Sequence, residues 1–339
     1  MRAFAAVVSL AFAGCAVQPE ATLSGEALLS GETMGSAWTV KIVGRLPASA
    51  EDMRAGVQGR FDAVNRALST YRPDSALSRF NDDGTGEWLD IDPELGEVLG
   101  FALSLAELSG GAYDVTVGPL VNLWGFGPDP ATNNVPAPAA IEAARALVGW
   151  RRVAVDAAGR KARKEPGVRV DLSSLGKGRG VDRVAEYLDA RGVTNYLIDL
   201  SGKLRARGRN HLGAPWRVEV EKPVADASSI AVGLDPQVIT LRDDSVATAG
   251  DYRRFFESGG RHYSHIIDPR TGWPVTHSTV SATAIAADCM HADALATVLM
   301  AMPPEEAMSL ANRLQWPALL ISHAGDSYRV MRSTAWPSP

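Results

Sequence analysis

The sequence of 339 residues predicts an α+β fold. Its predicted helices and strands are interspersed without the regular strand–helix–strand alternation that a parallel sheet requires. Several predicted strand pairs also lie close enough along the chain to form hairpins. Hydrophobic residues make up 46% of the chain and charged residues 22%, close to the averages of globular proteins. The length allows one large domain or two domains of ordinary size.

The first half of the chain mixes helices with short strands. Residues 33–43 alternate and are rich in β-formers, which predicts a strand. Apolar residues recur at spacings of three and four in residues 49–70 and 93–109, which predicts two amphipathic helices. The other elements predicted here are an exposed loop at 125–138, a helix at 141–148, strands at 152–163 and 168–172 beside a turn at 158–159, and a helix at 180–191.

The second half is richer in strands, which favours a meander of neighbouring strands. The predicted strands are 196–200, 216–221, 230–234, 238–241, 245–248 and 279–286. Helices are predicted at 292–302 and 304–313. Strands at 319–322 and 328–331 around Gly325-Asp326 predict a closing hairpin.

Charge and cysteine content exclude several classes of protein. The formal net charge of −5 argues against a protein that holds nucleic acid by bulk charge. The sequence has two cysteines, Cys15 and Cys289. Two are too few for a disulfide framework or for a zinc site built on thiolates.

The N-terminus is expected to be an export signal. Arg2 is followed by residues 3–13, of which only Ser9 is polar, and then by Gly14-Cys15. This apolar run is too short to span a membrane. Residues 12–15 resemble a bacterial lipobox, whose cysteine is lipidated and becomes the mature N-terminus, and an ordinary cleaved signal with a chance cysteine is the alternative. We therefore expect a lipoprotein signal peptide at 1–15, a tether at 16–30 and one domain at 31–335.

Five segments have a density of Gly, Asp, Ser/Thr and aromatic residues that packing does not require: 69–81, 110–127, 171–182, 263–275 and 288–297. The end of a helix followed by a capped turn explains the first segment, 69–81, as well as a functional role does. In the second segment, 110–127, Tyr113 beside Asp114 combines a ring and an acceptor, which suits a flat heteroaromatic ligand.

In the fourth segment, 263–275, His265 lies near Ser264 and Asp268. A hydrolase triad is not expected, because close neighbours on a strand point to opposite faces.

The third segment contains Gly176-Lys177-Gly178-Arg179-Gly180 directly before a predicted helix. Backbone N–H groups, the helix dipole and two cations would meet there, which favours a phosphate site. A flexible basic turn is the alternative. The spacing matches neither a P-loop nor the dinucleotide fingerprint.

The fifth segment places Asp293 and Thr297 four residues apart on a predicted helix, so their oxygens lie on one face. A carboxylate with a hydroxyl forms a hard-oxygen pair that suits Mg²⁺ better than Zn²⁺. From the residues alone, a favourable interaction of the Asp293 carboxylate with the helix dipole is a better explanation than a role as a Mg²⁺ ligand.

In this order and spacing, the segments resemble the ApbE family, the FAD:protein FMN transferases. The resemblance runs from about residue 33 to residue 302. Its strongest parts are STYRPDSALSRFN, GAYDVTVGPLVNLWGFGP, DLSSLGKGRGVDR, ATAGDYRRFF and YSHIIDPRTGWPV. Family members are typically periplasmic lipoproteins of bacteria, which agrees with the expected signal.

The resemblance implies an ApbE-like fold related to the T-fold, with mixed or antiparallel sheets and flanking helices. It also implies a Mg²⁺-dependent reaction that splits FAD at its pyrophosphate. The FMN phosphate is transferred to a Thr or Ser hydroxyl of an exported redox protein, and AMP leaves. The expected partners are FAD and such acceptor flavoproteins. The expected location is the periplasm, with a lipid anchor in a membrane, the inner membrane being favoured.

The resemblance further implies which residues of this chain form the site. The implied FAD contacts are Met34, Ala112, Tyr113, Asp114, Asp171, Lys177 and Ile267. The implied metal ligands are Ser174 (through its hydroxyl or its main-chain oxygen), Asp293 and Thr297. His265 takes the place of the general base, and an imidazole suits that task. Cys15 is the implied lipidation site.

This chain departs from the family pattern at two places. Family members usually have Gly-Gly and then an acidic residue or Asn, whereas this chain has Ser201-Gly202-Lys203. Some members have an acidic residue directly before the metal-binding Thr, where this chain has Ala296. Two alternative functions stay open. One is an FAD pyrophosphatase that releases FMN and AMP, and the other is a non-catalytic periplasmic FAD-binding lipoprotein.

Overall fold

The computed structural model describes residues 25–128, 134–221, 223, 235–325 and 327–337. The helices are α1 Ala50–Leu68, α2 Ala76–Asp82, α3 Pro93–Leu108, α4 Gly118–Leu123, α5 Pro138–Arg145, α6 Ser173–Asp189, α7 Cys289–Met300 and α8 Pro304–Arg313. The first strands are β1 Glu26–Thr33, β2 Ser36–Val43, β3 Leu89–Asp90, β4 Val153–Val155, β5 Lys161–Lys164, β6 Tyr196–Leu200, β7 Lys203–Arg207 and β8 Trp216–Glu219. The later strands are β9 Val238–Leu241, β10 Ser245–Gly250, β11 Phe255–Ser258, β12 Arg261–Ser264, β13 Ile267–Asp268, β14 Trp273–Pro274, β15 Thr279–Ala286, β16 Ala318–Ala324 and β17 Ser327–Arg332.

An eight-stranded sheet lies at the centre, in the order β1-β2-β6-β7-β10-β15-β16-β17. Every strand pair of the described residues is antiparallel. The sheet combines hairpins from both ends of the chain, with β10 next to β7 on one side and β15 on the other. Helices and antiparallel strands together confirm the α+β prediction.

One face of this sheet is covered by α1, α6 and α7, and α6 packs against both of the other two helices. At the β1–β2 end, Trp38 and Phe61 belong to one buried apolar cluster with residues of α6. At the other end, a larger cluster joins α3, α7 and α8 to β15 and β16. The N-terminal ends of α6 and α7 meet between these two clusters. This meeting point is where the candidate site lies.

Several predicted elements are confirmed with small changes of boundary. The helices predicted at 49–70 and 93–109 are α1 and α3, the strand at 279–286 is β15, and the helix at 304–313 is α8. Ser49 caps α1 by accepting the N–H of Asp52, and Asp92 caps α3 by accepting that of Glu94. The predicted strand at 230–234 lies outside the described residues.

The strand predicted at 168–172 is wrong. The side-chain amide of Asn81 takes the place of a neighbouring strand, because it accepts the N–H of Val170 and donates to the Val170 carbonyl, at 2.7 and 2.8 Å. The N–H of Asp171 donates to the carbonyl of Val115. The backbone of this segment is thus bonded without belonging to a sheet.

The N-terminal boundary of the domain also needs correction. Residues 26–30, predicted as part of a tether, belong to β1, which pairs with β2 along its whole length. The folded domain therefore begins before residue 31. The predicted signal at 1–15, with Cys15, lies outside the described residues. Among the residues that the structure describes, no helix is long and apolar enough to cross a membrane.

Candidate functional site

Asp293 holds the ends of α6 and α7 together. It lies in the second turn of α7, and its side chain is 4% exposed. Its Oδ2 accepts a hydrogen bond from the N–H of Gly178 at 3.0 Å, and its Oδ1 lies 3.2 Å from Nζ of Lys203. A buried carboxylate requires such partners, because burial of an unpaired charge is costly.

The glycines of the Gly-Lys-Gly-Arg-Gly segment lie inside α6, which begins at Ser173 and not near Gly180. At position 178, a Cβ atom would lie 2.5 Å from the carbonyl oxygen of Cys289, and at position 180 it would lie 2.9 Å from the ring of Phe61. The predicted helix start was wrong because these glycines permit close packing and do not break the helix. The N–H of Gly178 is therefore not available to the predicted phosphate site, because it donates to Asp293.

The two cations of that segment have different roles. The guanidinium of Arg179 is buried and forms ion pairs with Glu94 and Glu97 of α3. It stabilises the α3–α6 contact, so the prediction that it helps to bind phosphate is wrong. The Nζ of Lys177 donates to Oγ of Ser36, at the start of β2, at 2.8 Å. Lys177 is thus held beside the β1–β2 turn.

That turn contains Met34, a predicted FAD contact. Met34 has φ of 49° and Gly35 has φ of 67°, which is the left-handed pair of a tight hairpin turn. A left-handed backbone costs energy for a residue other than glycine, and such strain tends to cluster at ligand-binding sites. The partly buried Met34 side chain packs against both apolar clusters.

Tyr113 lies against the start of α6. Its hydroxyl is 2.9 Å from Oγ of Ser174. Burial raises the pKa of Tyr113, and the nearby carboxylates of Asp171, Asp293 and Asp114 raise it further. Tyr113 therefore stays protonated at neutral pH and can donate a hydrogen bond among these carboxylates.

Asp114 has a structural role in the loop that carries Tyr113. Its Oδ1 accepts hydrogen bonds from the N–H and the hydroxyl of Thr116, and its Oδ2 accepts the N–H of Trp150 at 2.8 Å. Burial raises the pKa of Asp114 in spite of these bonds. The carboxylate thereby fixes the loop that carries Tyr113. The adjoining Ala112 is fully buried in the larger apolar cluster.

Asp171 lies directly before α6. Its Oδ1 accepts the N–H of Ser173, the first residue of that helix, at 2.8 Å, so the carboxylate is a partner for one of the N–H groups that a helix start leaves unpaired. Thr297 lies one turn beyond Asp293, and its hydroxyl donates to the Asp293 carbonyl at 3.1 Å. The lone pairs of the Thr297 hydroxyl are left to accept or to coordinate.

His265 and Ile267 lie in a different part of the site, between β12 and β14. Nδ1 of His265 is 3.1 Å from the carbonyl oxygen of Arg254. A carbonyl only accepts, so Nδ1 carries the proton and Nε2 is the basic nitrogen of the neutral ring. The ring is also in a T-shaped arrangement with the ring of Phe126. Ile267 is buried in an aromatic cluster with Trp124 and Phe126.

Ala112 and Asp114 are buried beside Tyr113, and Cys15 lies outside the described residues; the other predicted residues fall into three groups. The first surrounds the ends of α6 and α7 and contains Tyr113, Asp171, Ser174, Asp293 and Thr297. Met34 and Lys177 form a second group at the β1–β2 turn. His265 and Ile267 form a third, which residues 113–126 connect to the first through Trp124 and Phe126. The predicted contacts of these residues with FAD stay predictions.

Two residues of the site were not predicted to have these roles. The sequence marks Lys203 as a departure from the family pattern but does not predict that it pairs with Asp293. Asp182 ends the third segment but has no predicted role, although its buried carboxylate accepts the N–H groups of Cys289 and Met290 at 2.8 Å and pairs with Arg205. Asp182 thus fixes the start of α7.

Cys289 is the free thiol of the described residues, and it is buried at the α6–α7 contact. Burial raises the pKa of Cys289 well above its ordinary value. It stays a neutral thiol and acts as a small packing residue.

Comparisons with known proteins agree with this architecture. The profile of the ApbE family matches residues 34–320. The chain is 39% identical to a FAD:protein FMN transferase of Vibrio cholerae, over 96% of this chain and 95% of that protein. It is 35% identical to a FAD:protein FMN transferase of Escherichia coli K12, over 98% of this chain and 93% of that protein.

Solved structures show the same fold. The structure of the flavin transferase ApbE from Vibrio cholerae superposes with a TM-score of 0.83 and 39% identity, covering 92% of this chain and 98% of that one. The apo structure of the flavinyl transferase ApbE from Pseudomonas stutzeri gives a TM-score of 0.83 at 35% identity, over 92% and 95% of the two chains. By family profile, sequence identity and fold, the chain belongs to the ApbE family.

Proposed function

We propose that this protein is a FAD:protein FMN transferase, which moves the FMN moiety of FAD to an acceptor protein. The observation that carries this proposal is the full-length similarity to proteins named for that activity, at 39% identity and a TM-score of 0.83. The finer proposal is that the acceptor atom is a Thr or Ser hydroxyl. That oxygen forms a bond to the phosphorus of the FMN half, the pyrophosphate bond breaks, and AMP leaves.

His265 is the proposed general base. Its neutral ring presents Nε2 as the basic nitrogen, because Nδ1 donates to the Arg254 carbonyl. Nε2 would take the proton of the acceptor hydroxyl as the new P–O bond forms. The bond to Arg254 fixes the tautomer and the orientation of the ring, which a base requires.

The residues around Asp293 fit the Mg²⁺ ion that the family resemblance implies. Asp293, Thr297 and Ser174 offer a carboxylate and hydroxyl oxygens, the ligands that Mg²⁺ prefers. The buried Asp293 carboxylate already faces a cation, the ammonium of Lys203. Among the described residues no three His, Cys, Asp or Glu side chains cluster as metal ligands, so such an ion would share one protein carboxylate with hydroxyls, water and phosphate oxygens. When bound, Mg²⁺ would neutralise charge on the phosphates.

The other residues of this chain bind and orient the substrate in this proposal. Lys177, held beside the β1–β2 turn by Ser36, supplies a cation for the pyrophosphate. Tyr113 supplies a protonated hydroxyl beside Ser174. Met34 and Ile267 offer apolar contacts for the flavin or the adenine ring.

Release of AMP tests this proposal against its two alternatives. The purified protein is incubated with FAD and Mg²⁺, with and without an exported redox protein as acceptor. AMP that forms only with the acceptor supports transfer, and AMP that forms equally without it indicates an FAD pyrophosphatase. Tight retention of FAD with no AMP in either case indicates a binding protein.

We also propose that the protein is exported and anchored by lipid at Cys15, on the periplasmic side of a membrane. The lipobox-like residues 12–15 support this location. One acyl chain binds a membrane weakly, so stable anchoring needs more than one chain. The test is fractionation of cells that express the native chain or Cys15→Ser. The native protein is expected with the membranes, and equal amounts of both proteins there would contradict the proposal.

A further inference from the structure

Lys203 forms a buried ion pair at the centre of the candidate site. Its side chain is 11% exposed, and its Nζ lies 3.2 Å from Oδ1 of Asp293. The same Nζ donates to the carbonyl of Thr248, on the neighbouring strand β10, at 2.6 Å. Two contacts from two elements therefore hold the ammonium in place.

Asp293 has a hydrogen-bond donor or a cation at each of its two oxygens. Gly178 N–H binds Oδ2, and Lys203 binds Oδ1. The Gly178 contact cannot readily move, because α6 and α7 pack too closely there for even a Cβ atom at position 178. Lys203, in contrast, has a flexible four-carbon side chain. Oδ1 is thus the oxygen that can exchange its partner.

A divalent cation and an ammonium repel each other when both lie against one carboxylate. The nearby carboxylates of Asp171 and Asp114 are engaged by the backbone N–H groups of Ser173 and Trp150. Of these three carboxylates, Asp293 is therefore the one that is already paired with a cation, the ammonium of Lys203.

We propose that Lys203 is a built-in competitor of the divalent metal ion: its ammonium occupies the cation position at Asp293, and metal binding requires it to leave Oδ1. The inference deepens the proposed function, and it rests on that function for the identity of the ion. Lys203 thereby sets the metal concentration at which the site fills. Removal of its charge makes metal binding tighter.

The test is Mn²⁺ binding, measured by electron paramagnetic resonance on the full chain without FAD or acceptor. Lys203→Met is expected to bind Mn²⁺ about tenfold more tightly than the native protein, since the repelling charge is gone. Lys203→Arg, which keeps the charge, is expected to bind as the native protein does. Lys161→Met is the matched control, because Lys161 is an exposed lysine of β5 that pairs with Asp90. Equal or weaker binding by Lys203→Met, or no binding by either protein, would overturn the proposal.

A second measurement needs no substitution at Lys203, in case that variant fails to fold. The native protein is labelled with an amine-reactive reagent, with and without saturating Mn²⁺, and the labelled lysines are identified by mass spectrometry. Labelling of Lys203 is expected to rise several-fold with Mn²⁺, while that of Lys161 stays constant. Unchanged labelling of Lys203 would contradict the exchange.

Neither measurement uses FAD or transfer activity. A protein that exchanges Lys203 for Mn²⁺ but transfers no FMN would contradict only the proposed function. A protein that transfers FMN without this exchange would contradict only the inference on Lys203.

Discussion

The backbone N–H of Gly178 donates a hydrogen bond to Oδ2 of Asp293 at 3.0 Å, and this bond joins α6 to α7 at the candidate site. A side chain at position 178 would collide with the backbone of Cys289 and Met290. The close approach of two helices therefore positions the proposed metal-binding carboxylate.

Substitution of Gly178 tests this relationship. Gly178→Ala is expected to lower the free energy of unfolding by about 1–3 kcal/mol, because the helices must separate to admit the methyl group. Gly176→Ala is the matched control, since a Cβ at position 176 would meet no atom within 4 Å. In a helix interior this change is expected to stabilise by about 0.5–1 kcal/mol. Chemical denaturation measures both, and equal effects of the two variants would contradict the packing account.

The hydroxyl of Tyr113 is expected to matter for activity beyond its effect on stability. Tyr113→Phe removes the contact with Ser174 and is expected to cost about 1 kcal/mol and to weaken FAD binding or transfer. Tyr196→Phe removes a comparable bond to Asp189, at the far end of α6. It is expected to cost similar stability and to leave transfer unchanged. Loss of activity in both variants, or in neither, would argue against a site role for Tyr113.

His265→Ala is expected to keep FAD binding and to lose transfer by about 10²–10⁴-fold, because the acceptor hydroxyl loses its base. FAD binding is measured by flavin fluorescence, and transfer by the mass of the acceptor. His211→Ala is the control, because His211 is an exposed histidine that pairs with Glu26. Undiminished transfer by His265→Ala would show that another group takes the proton.

Stability is expected to depend on pH through Glu94, which binds Arg179 and Arg183 of α6. Burial opposes ionisation of Glu94, but its bonds to Arg183 and Arg179 outweigh this effect and lower its pKa. A carboxyl whose pKa is lower in the folded state stabilises the protein above its ordinary pKa, and this stabilisation is lost as the pH falls through the lowered pKa.

Glu94→Gln is therefore expected to cost about 1–3 kcal/mol at neutral pH, and the difference from the native protein is expected to shrink below about pH 4. Thermal unfolding between neutral pH and the lowest pH that the fold tolerates measures the difference. Glu142→Gln is the control, because the Glu142–Arg145 pair is exposed and contributes little. A difference that stays constant with pH would rule out the ion pairs as its cause.

The sequence predicted most of the helices and central strands, because their apolar residues recur with the period of the element. Residues 49–70 show the helical spacing of α1, and residues 279–286 coincide with β15. The β1–β2 hairpin was missed because its turn has Met34 at a left-handed position that usually contains Asn, Asp or Gly. The start of α6 was missed because Gly176, Gly178 and Gly180 predict a loop unless the packing partner is known.

The candidate site was predictable in its residue types and less so in its contacts. Asp293, Thr297 and Ser174 were assigned by family resemblance, and the structure places Asp293 and Ser174 around Tyr113. The pairing of Lys203 with Asp293 joins residues 90 positions apart, which no local pattern reveals. The same holds for Arg179, whose partners lie on α3. Long-range ion pairs depend on the tertiary fold, and a single sequence does not show them.

The central claim is that the FMN half of FAD becomes covalently attached to a protein hydroxyl. The most direct measurement is the intact mass of an exported redox protein after incubation with this protein, FAD and Mg²⁺, followed by identification of the modified residue. The account predicts a gain of one FMN unit on a Thr or Ser, with release of AMP and with no gain when His265→Ala replaces the native protein. An acceptor of unchanged mass, under conditions in which a known FMN transferase modifies it, would contradict the account.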